Sequence, residues 1–175
     1  MNKILGLLAI TGLVLLSPAR MASASSNLPN GTVLTGTGTN LALGGIISCH
    51  STVNGTIFNR PTGQGVHGVI DTATFSGCNP AGTAAVETKP PWTLDLGIAT
   101  NGGQTWDGAV TDANFDLNMF GLQCSYAGSF GVLYENATMQ LTLSGSVTRQ
   151  AGSVLCPETL PLTGIYHIVP TLTIS

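Results

Sequence analysis

The sequence predicts an all-β protein, a single antiparallel β-sandwich or partly open barrel held by two disulfides. Three observations carry the prediction. Short runs of alternating apolar and hydroxyl residues recur along the chain, and Gly, Asn and Pro punctuate them. No helical period of useful length follows the first 24 residues, which leaves strands to build the whole domain. The layout from Cys49 to Cys78 also returns, more loosely, from Cys124 to Cys156: a cysteine, two β-like runs, and a closing cysteine with Pro just beyond it.

Residues 1–24 read as a secretory signal. Lys3, the apolar run Ile4 to Leu16 and the Ala22-Ser23-Ala24 stretch supply its charged, apolar and cleavage regions. Residues 25–30 then read as a flexible leader and residues 31–175 as one domain, large enough for a real core. No later apolar run approaches the roughly 20 residues of a membrane span. The expected location is extracellular, or periplasmic if the cell has an outer membrane. There an even count of four cysteines favours two disulfides over a metal site or a catalytic thiol. Of the three possible pairings, Cys49–Cys78 with Cys124–Cys156 is preferred, since each closes one of the two similar units.

Asn30-Gly31 marks the first turn. Leu41 to Ser51 and Val66 to Phe75 read as strands, with Asp71 interrupting the second one's alternation as a bulge or edge would. Asn54-Gly55 allows either a two-residue hairpin turn or a strand continuing in phase through Val53 and Ile57, and the phase favours the strand. Trp92 to Ile98 places Trp92, Leu94, Leu96 and Ile98 on one face. Asn101-Gly102-Gly103 turns it into Thr105 to Val110. The strand carrying Phe115 and Leu117 must bend or end near Met119-Phe120, where the phase changes. Ala137 to Thr148 buries Ala137, Met139, Leu141, Leu143 and Val147 behind a face of Thr, Ser and Gln. Ile165 to Ser175 closes the domain with Tyr166, Ile168, Leu172 and Ile174 on one face and Pro170 as an edge or kink.

Charge narrows the function. Only 7% of the residues are charged, against about 25% in ordinary soluble domains. Loss of Lys3 and Arg20 with the signal leaves three basic side chains, Arg60, Lys89 and Arg149, against eight acidic ones, a net charge of −5. Without a basic patch, nucleic acid is excluded as a partner.

No constellation specifies a reaction. Asp112-Ala-Asn-Phe-Asp116-Leu-Asn118 spaces oxygen ligands as a calcium loop begins, but the positions for its Gly and closing Glu hold Leu117 and Gln123. The apolar residues between them make this the solvent face of a strand. Asp107, Asp112 and Asp116 offer carboxylates for glycoside hydrolysis, yet Asp112 and Asp116 on one strand stand roughly 13 Å apart, too far for either usual geometry. His50, His67 and His167 lack the spacing of a metal set. Leu160-Pro-Leu-Thr-Gly164 matches a sortase motif but lacks the hydrophobic span and basic tail that follow in a sorting signal. No catalytic residue, cofactor or metal is assigned, and the protein is not read as an enzyme.

The run C-x-x-x-V-N-G-T-I from Cys49, the segment Ile70-Asp-Thr-Ala-Thr-Phe-Ser-Gly-Cys78, the Pro90-Pro-Trp-Thr-Leu94 element and the later cysteine pair resemble small secreted bacterial proteins of the protein activator of alkane oxidation type. Similar uncharacterised exported actinobacterial proteins share these elements. The likeness runs from about Leu41 to the C-terminus. It implies an extracellular, non-enzymatic protein that aids contact with hydrophobic material or a biofilm matrix, and it transfers no catalytic residue. The first expectation is therefore a secreted protein acting by surface interaction or self-association. The second is a sugar- or lipid-binding module whose contacts include the aromatic residues Trp106 and Tyr134, with Trp92 and Tyr126 beside them. A secreted hydrolase comes third.

Overall fold

The computed structural model describes residues 25–60, 65–79 and 84–175. The secretory signal expected over 1–24 lies outside them. Nine strands follow in order: β1 (Thr32–Leu43), β2 (Ile47–Asn59), β3 (Val66–Asn79), β4 (Ala84–Thr88), β5 (Trp92–Thr100), β6 (Thr105–Met119), β7 (Leu122–Glu135), β8 (Gln140–Gly152) and β9 (Thr159–Val169). Their alternating sequences suit a pleat with one buried face, and every pairing is antiparallel.

The ladder runs β6-β5-β3-β2-β1-β9-β8-β7 and then returns from β7 to β6, so eight strands form a closed antiparallel ring. The fold is all-β. β6 is long enough to serve three partners: β7 along one side, and on the other β5 at Thr105–Thr111 and the appended β4 at Phe115–Met119. Closure removes most of the free edges that an open sheet of this length would expose, leaving those of β4 and of the β3 half beyond Ile70.

Inside the ring, alternate residues of every long strand meet. Leu43, Leu96, Ala113, Leu117, Tyr126, Tyr134, Val147 and Leu160 are all within 1% of complete burial. Each fully buried large apolar side chain contributes roughly 1.5–3 kcal/mol. A small, partly open apolar cleft of about 50 Å³ lies between Leu34, Val53, Ile57, Ile70, Leu94, Leu141 and Ile168. That is far below the roughly 300 Å³ at which small-molecule pockets begin.

Four sequence expectations change in the structure. The Leu41 to Ser51 strand is a hairpin: Gly44 and Gly45, at φ 62° and 72°, reverse the chain between β1 and β2. Ile98 faces solvent because the β5–β6 register slips between Leu96 and Ile98, and a one-residue slip turns every later side chain to the opposite face. The strand expected from Ala137 starts only at Gln140, because Asn136 to Met139 form a turn with Met139 at φ 55°, leaving Ala137 exposed. The leader is pinned, not loose: Ser25 and Ser175 exchange backbone hydrogen bonds of 2.9 and 3.0 Å, and Asn27 N donates to Thr173 O at 2.9 Å.

Other expectations are met. Asn54-Gly55 lies within β2, Asp71 is the unpaired residue of a bulge, Asn101–Gly103 forms the β5–β6 turn, and β6 ends at Met119. The C-terminal segment buries Tyr166 and Ile168 from β9. Beyond Pro170 it leaves the ladder, and Leu172 and Ile174 cork one end of the ring. Asn136 holds this cork, accepting from Ile174 N at 3.0 Å and donating to Ile174 O at 2.8 Å.

Candidate functional site

The aromatic residues do not form an exposed platform. Trp106 and Tyr134 stand opposite each other on β6 and β7, on the faces that ring closure turns inward, and only 4% and 0% of their surfaces are exposed. Tyr134 OH donates to Leu172 O at 2.5 Å, so it holds the cork in place. Trp92 and Tyr126 are buried as well, and Tyr126 OH donates to Pro157 O at 3.1 Å. These side chains are core, and the ligand role expected of Trp106 and Tyr134 is withdrawn. Burial pushes the phenols of Tyr134 and Tyr166 up to about 12, and it raises that of Tyr126.

The acidic residues of β6 are spread along its solvent side. Asp112 sits at φ 60° in the bulge between Val110 and Ala113. Asp116 bonds Lys89 at 2.6 Å and accepts from Ser125 Oγ at 2.6 Å. Hydrogen bonding to Lys89, then to Ser125, lowers its pKa below the usual carboxylate value. Among the described residues, no three His, Cys, Asp or Glu side chains converge. His67 Nδ1 lies 2.9 Å from Asp95, which also binds Arg60. His50 and His167 point to solvent.

The cystines mark one end of the ring. Cys49 on β2 is bonded to Cys78 on β3, and Cys124 at the start of β7 to Cys156 in the β8–β9 loop. Both bridges lie at the end formed by the Gly44–Ile46 turn, the Phe120-Gly121 turn and the Ser153–Glu158 loop, here called the upper end. The cork closes the lower end. Disulfides are compatible with an extracellular or periplasmic location. No helix among the described residues is long and apolar enough to cross a membrane.

The wall between the ends is polar and nearly uncharged. Across β1, β9 and β8 a shallow groove of about 760 Å³ is lined by Thr37, Thr39, Asn40, Thr163, Ile165, His167, Gln140, Thr142 and Ser144. The β8 residues among them belong to the hydroxyl face expected from the alternation. Leu160–Gly164, the sortase-like match, is paired within β9 and continues into paired Ile165–Val169.

The upper end holds what sequence reading missed. Ile46, Phe120, Val154 and Leu155 are 63%, 64%, 90% and 73% exposed. Ile46 falls inside the stretch read as a strand from Leu41 to Ser51, and Phe120, Val154 and Leu155 lie outside any alternating run. An apolar residue inside a turn is the signal that would have found them.

No curated protein and no solved structure matches the chain. One family model does, across residues 1–175, and its description is alkane oxidation protein activator PraA/PraB-like. The chain belongs to that family.

Proposed function

We propose that the protein is secreted and acts without catalysis, through contact with uncharged hydrophobic surfaces or with copies of itself. The observation that carries this is the state of its charges. All three described basic side chains are engaged within the chain: Arg60 with Asp95, Lys89 with Asp116, and Arg149 Nη1 with the carbonyls of Ser153 at 2.9 Å and Cys156 at 2.6 Å. With no free Lys or Arg on the described surface and a Thr- and Ser-rich wall, an anionic partner finds no ion pair here, which favours apolar contact. A family described by alkane oxidation agrees with apolar material as the partner. The filled interior argues against carriage of a ligand inside the ring.

The test is adsorption of the purified, oxidised protein to an alkane–water interface, followed by interfacial tension. Adsorption should be equal at low salt and at about 1 M salt, where the screening length falls to about 3 Å. Loss of adsorption on raising the salt, or a folded protein that stays in the water phase, would reject the proposal. The groove across β1, β9 and β8 favours a second reading, a module for neutral glycans. Binding to a glycan array that is lost on replacing Thr142 and Thr163 by Val would support it.

A further inference from the structure

We propose that the upper end of the ring is the contact surface, and that Ile46, Phe120, Val154 and Leu155 dip together into a liquid hydrocarbon. The proposal rests on the surface role put forward above and assigns it a site.

Three of the upper loops, all among the described residues, are consecutive around the ring. They join β1 to β2, β8 to β9 and β6 to β7, and the ring order is β2-β1-β9-β8-β7-β6 along this arc. They are also tied to one another. Gly44 N donates to Pro161 O at 2.8 Å, which fastens the β1–β2 turn to the start of β9. The Cys124–Cys156 bridge fastens the β8–β9 loop to β7, just beyond the Phe120-Gly121 turn. The four apolar tips therefore stand on a stapled frame, so little ordering is left to do on contact. Gly44 to Ile46, Phe120-Gly121 and Ser153 to Pro157 contain no charged residue, and Glu158 is the nearest acid along the chain. The opposite end differs: its exposed apolar side chains, Val33, Phe58, Ile98 and Val169, lie on paired strands and not on loop tips, and its backbone groups are taken up by the cork and by Asn136.

A bare hydrocarbon surface fits this end better than a lipid headgroup layer. Proteins seat in a headgroup region with Trp, Tyr and Lys or Arg. Here both Trp and all three Tyr are buried, and the one cation nearby, Arg149, is spent on the Ser153 and Cys156 carbonyls. Separate apolar tips on different loops suit a fluid that closes around them.

The experiment compares partitioning onto hexadecane droplets for three proteins: wild type, the Ile46→Ser/Phe120→Ser/Val154→Ser/Leu155→Ser variant, and a Val33→Ser/Val169→Ser variant altered on the exposed wall. Urea midpoints confirm that each is folded. Each tip buried in hydrocarbon is worth roughly tenfold in partitioning, so the four-site variant should lose at least a hundredfold while the wall variant stays within about threefold. A Val154→Ser/Leu155→Ser variant, confined to one loop, should lose about tenfold or more and stands in if the four-site variant does not fold. Failure of wild type to partition overturns the surface role itself. Partitioning of wild type that the tip variants share overturns only the assigned site. Phosphatidylcholine vesicles binding wild type as strongly as the droplets would overturn the choice of a bare hydrocarbon.

Discussion

Raising the pH from 8 to 11 should weaken the fold through two buried phenols. Tyr166 is 4% exposed and donates to Ser51 Oγ at 2.9 Å, and Tyr134 is fully buried with its proton on Leu172 O. Burial pushes each to about 12, whereas a tyrosine in water titrates near 10.0. Between these values the unfolded chain releases protons that the folded chain keeps. Their contribution is therefore complete below about pH 10 and is lost as the pH rises toward 12. One pH unit past the unfolded value costs about 1.4 kcal/mol per phenol, so by pH 11 the pair should cost roughly 3 kcal/mol. Urea titrations at pH 8, 10 and 11 read this directly. Tyr134→Phe and Tyr166→Phe should each start about 0.5–1.5 kcal/mol lower at pH 8 for the lost hydrogen bond, and each should remove about half of the alkaline fall. An alkaline fall as steep in the double Phe variant as in wild type would refute the reasoning.

Three further outcomes follow from the packing. Removing either disulfide by paired Cys→Ala changes should cost roughly 3–4 kcal/mol on chain-entropy grounds, since the bridges span separations of 29 and 32 residues; urea midpoints under oxidising conditions check it. Deleting 170–175 removes Leu172 and Ile174 and strands the Tyr134 hydroxyl, so a loss of about 4–6 kcal/mol is expected by the same titration. Gly108→Ala should destabilise by about 1–3 kcal/mol or more. A Cβ there would lie 1.9 Å from the Asp95 carbonyl oxygen, so the β5–β6 ladder has to open, whereas Gly45→Ser, in open space, should cost only the strain of its positive φ.

Local features were legible in the sequence, and features set by distant pairing were not. Alternation placed Leu141, Leu143 and Val147 inside, the Asn101–Gly103 turn followed from its glycines, and the two Cys-to-Cys units named both bridges. Closure depends on β6 meeting β7 as well as β5 and β4, which no local pattern encodes. That closure decides the fate of Trp106 and Tyr134: alternation assigns them a face, but only the ring makes that face the interior. Ile98 was misplaced for a related reason, because a register slip is a property of two strands and leaves no mark on one. The upper-end tips escaped because each lies in a turn, and only the strand order brings Ile46, Phe120, Val154 and Leu155 to the same end.

The most direct measurement of the central claim is photolabelling from within the oil. A diazirine-bearing alkane dissolved in hexadecane droplets is irradiated with the adsorbed, oxidised protein, and labelled peptides are mapped by mass spectrometry. Label should concentrate on the peptides holding Ile46, Phe120 and Val154-Leu155 and be sparse at Asn101–Gly103 and on the β1 and β9 wall. Label concentrated on Val33 and Val169, or spread evenly over both ends, would contradict the account.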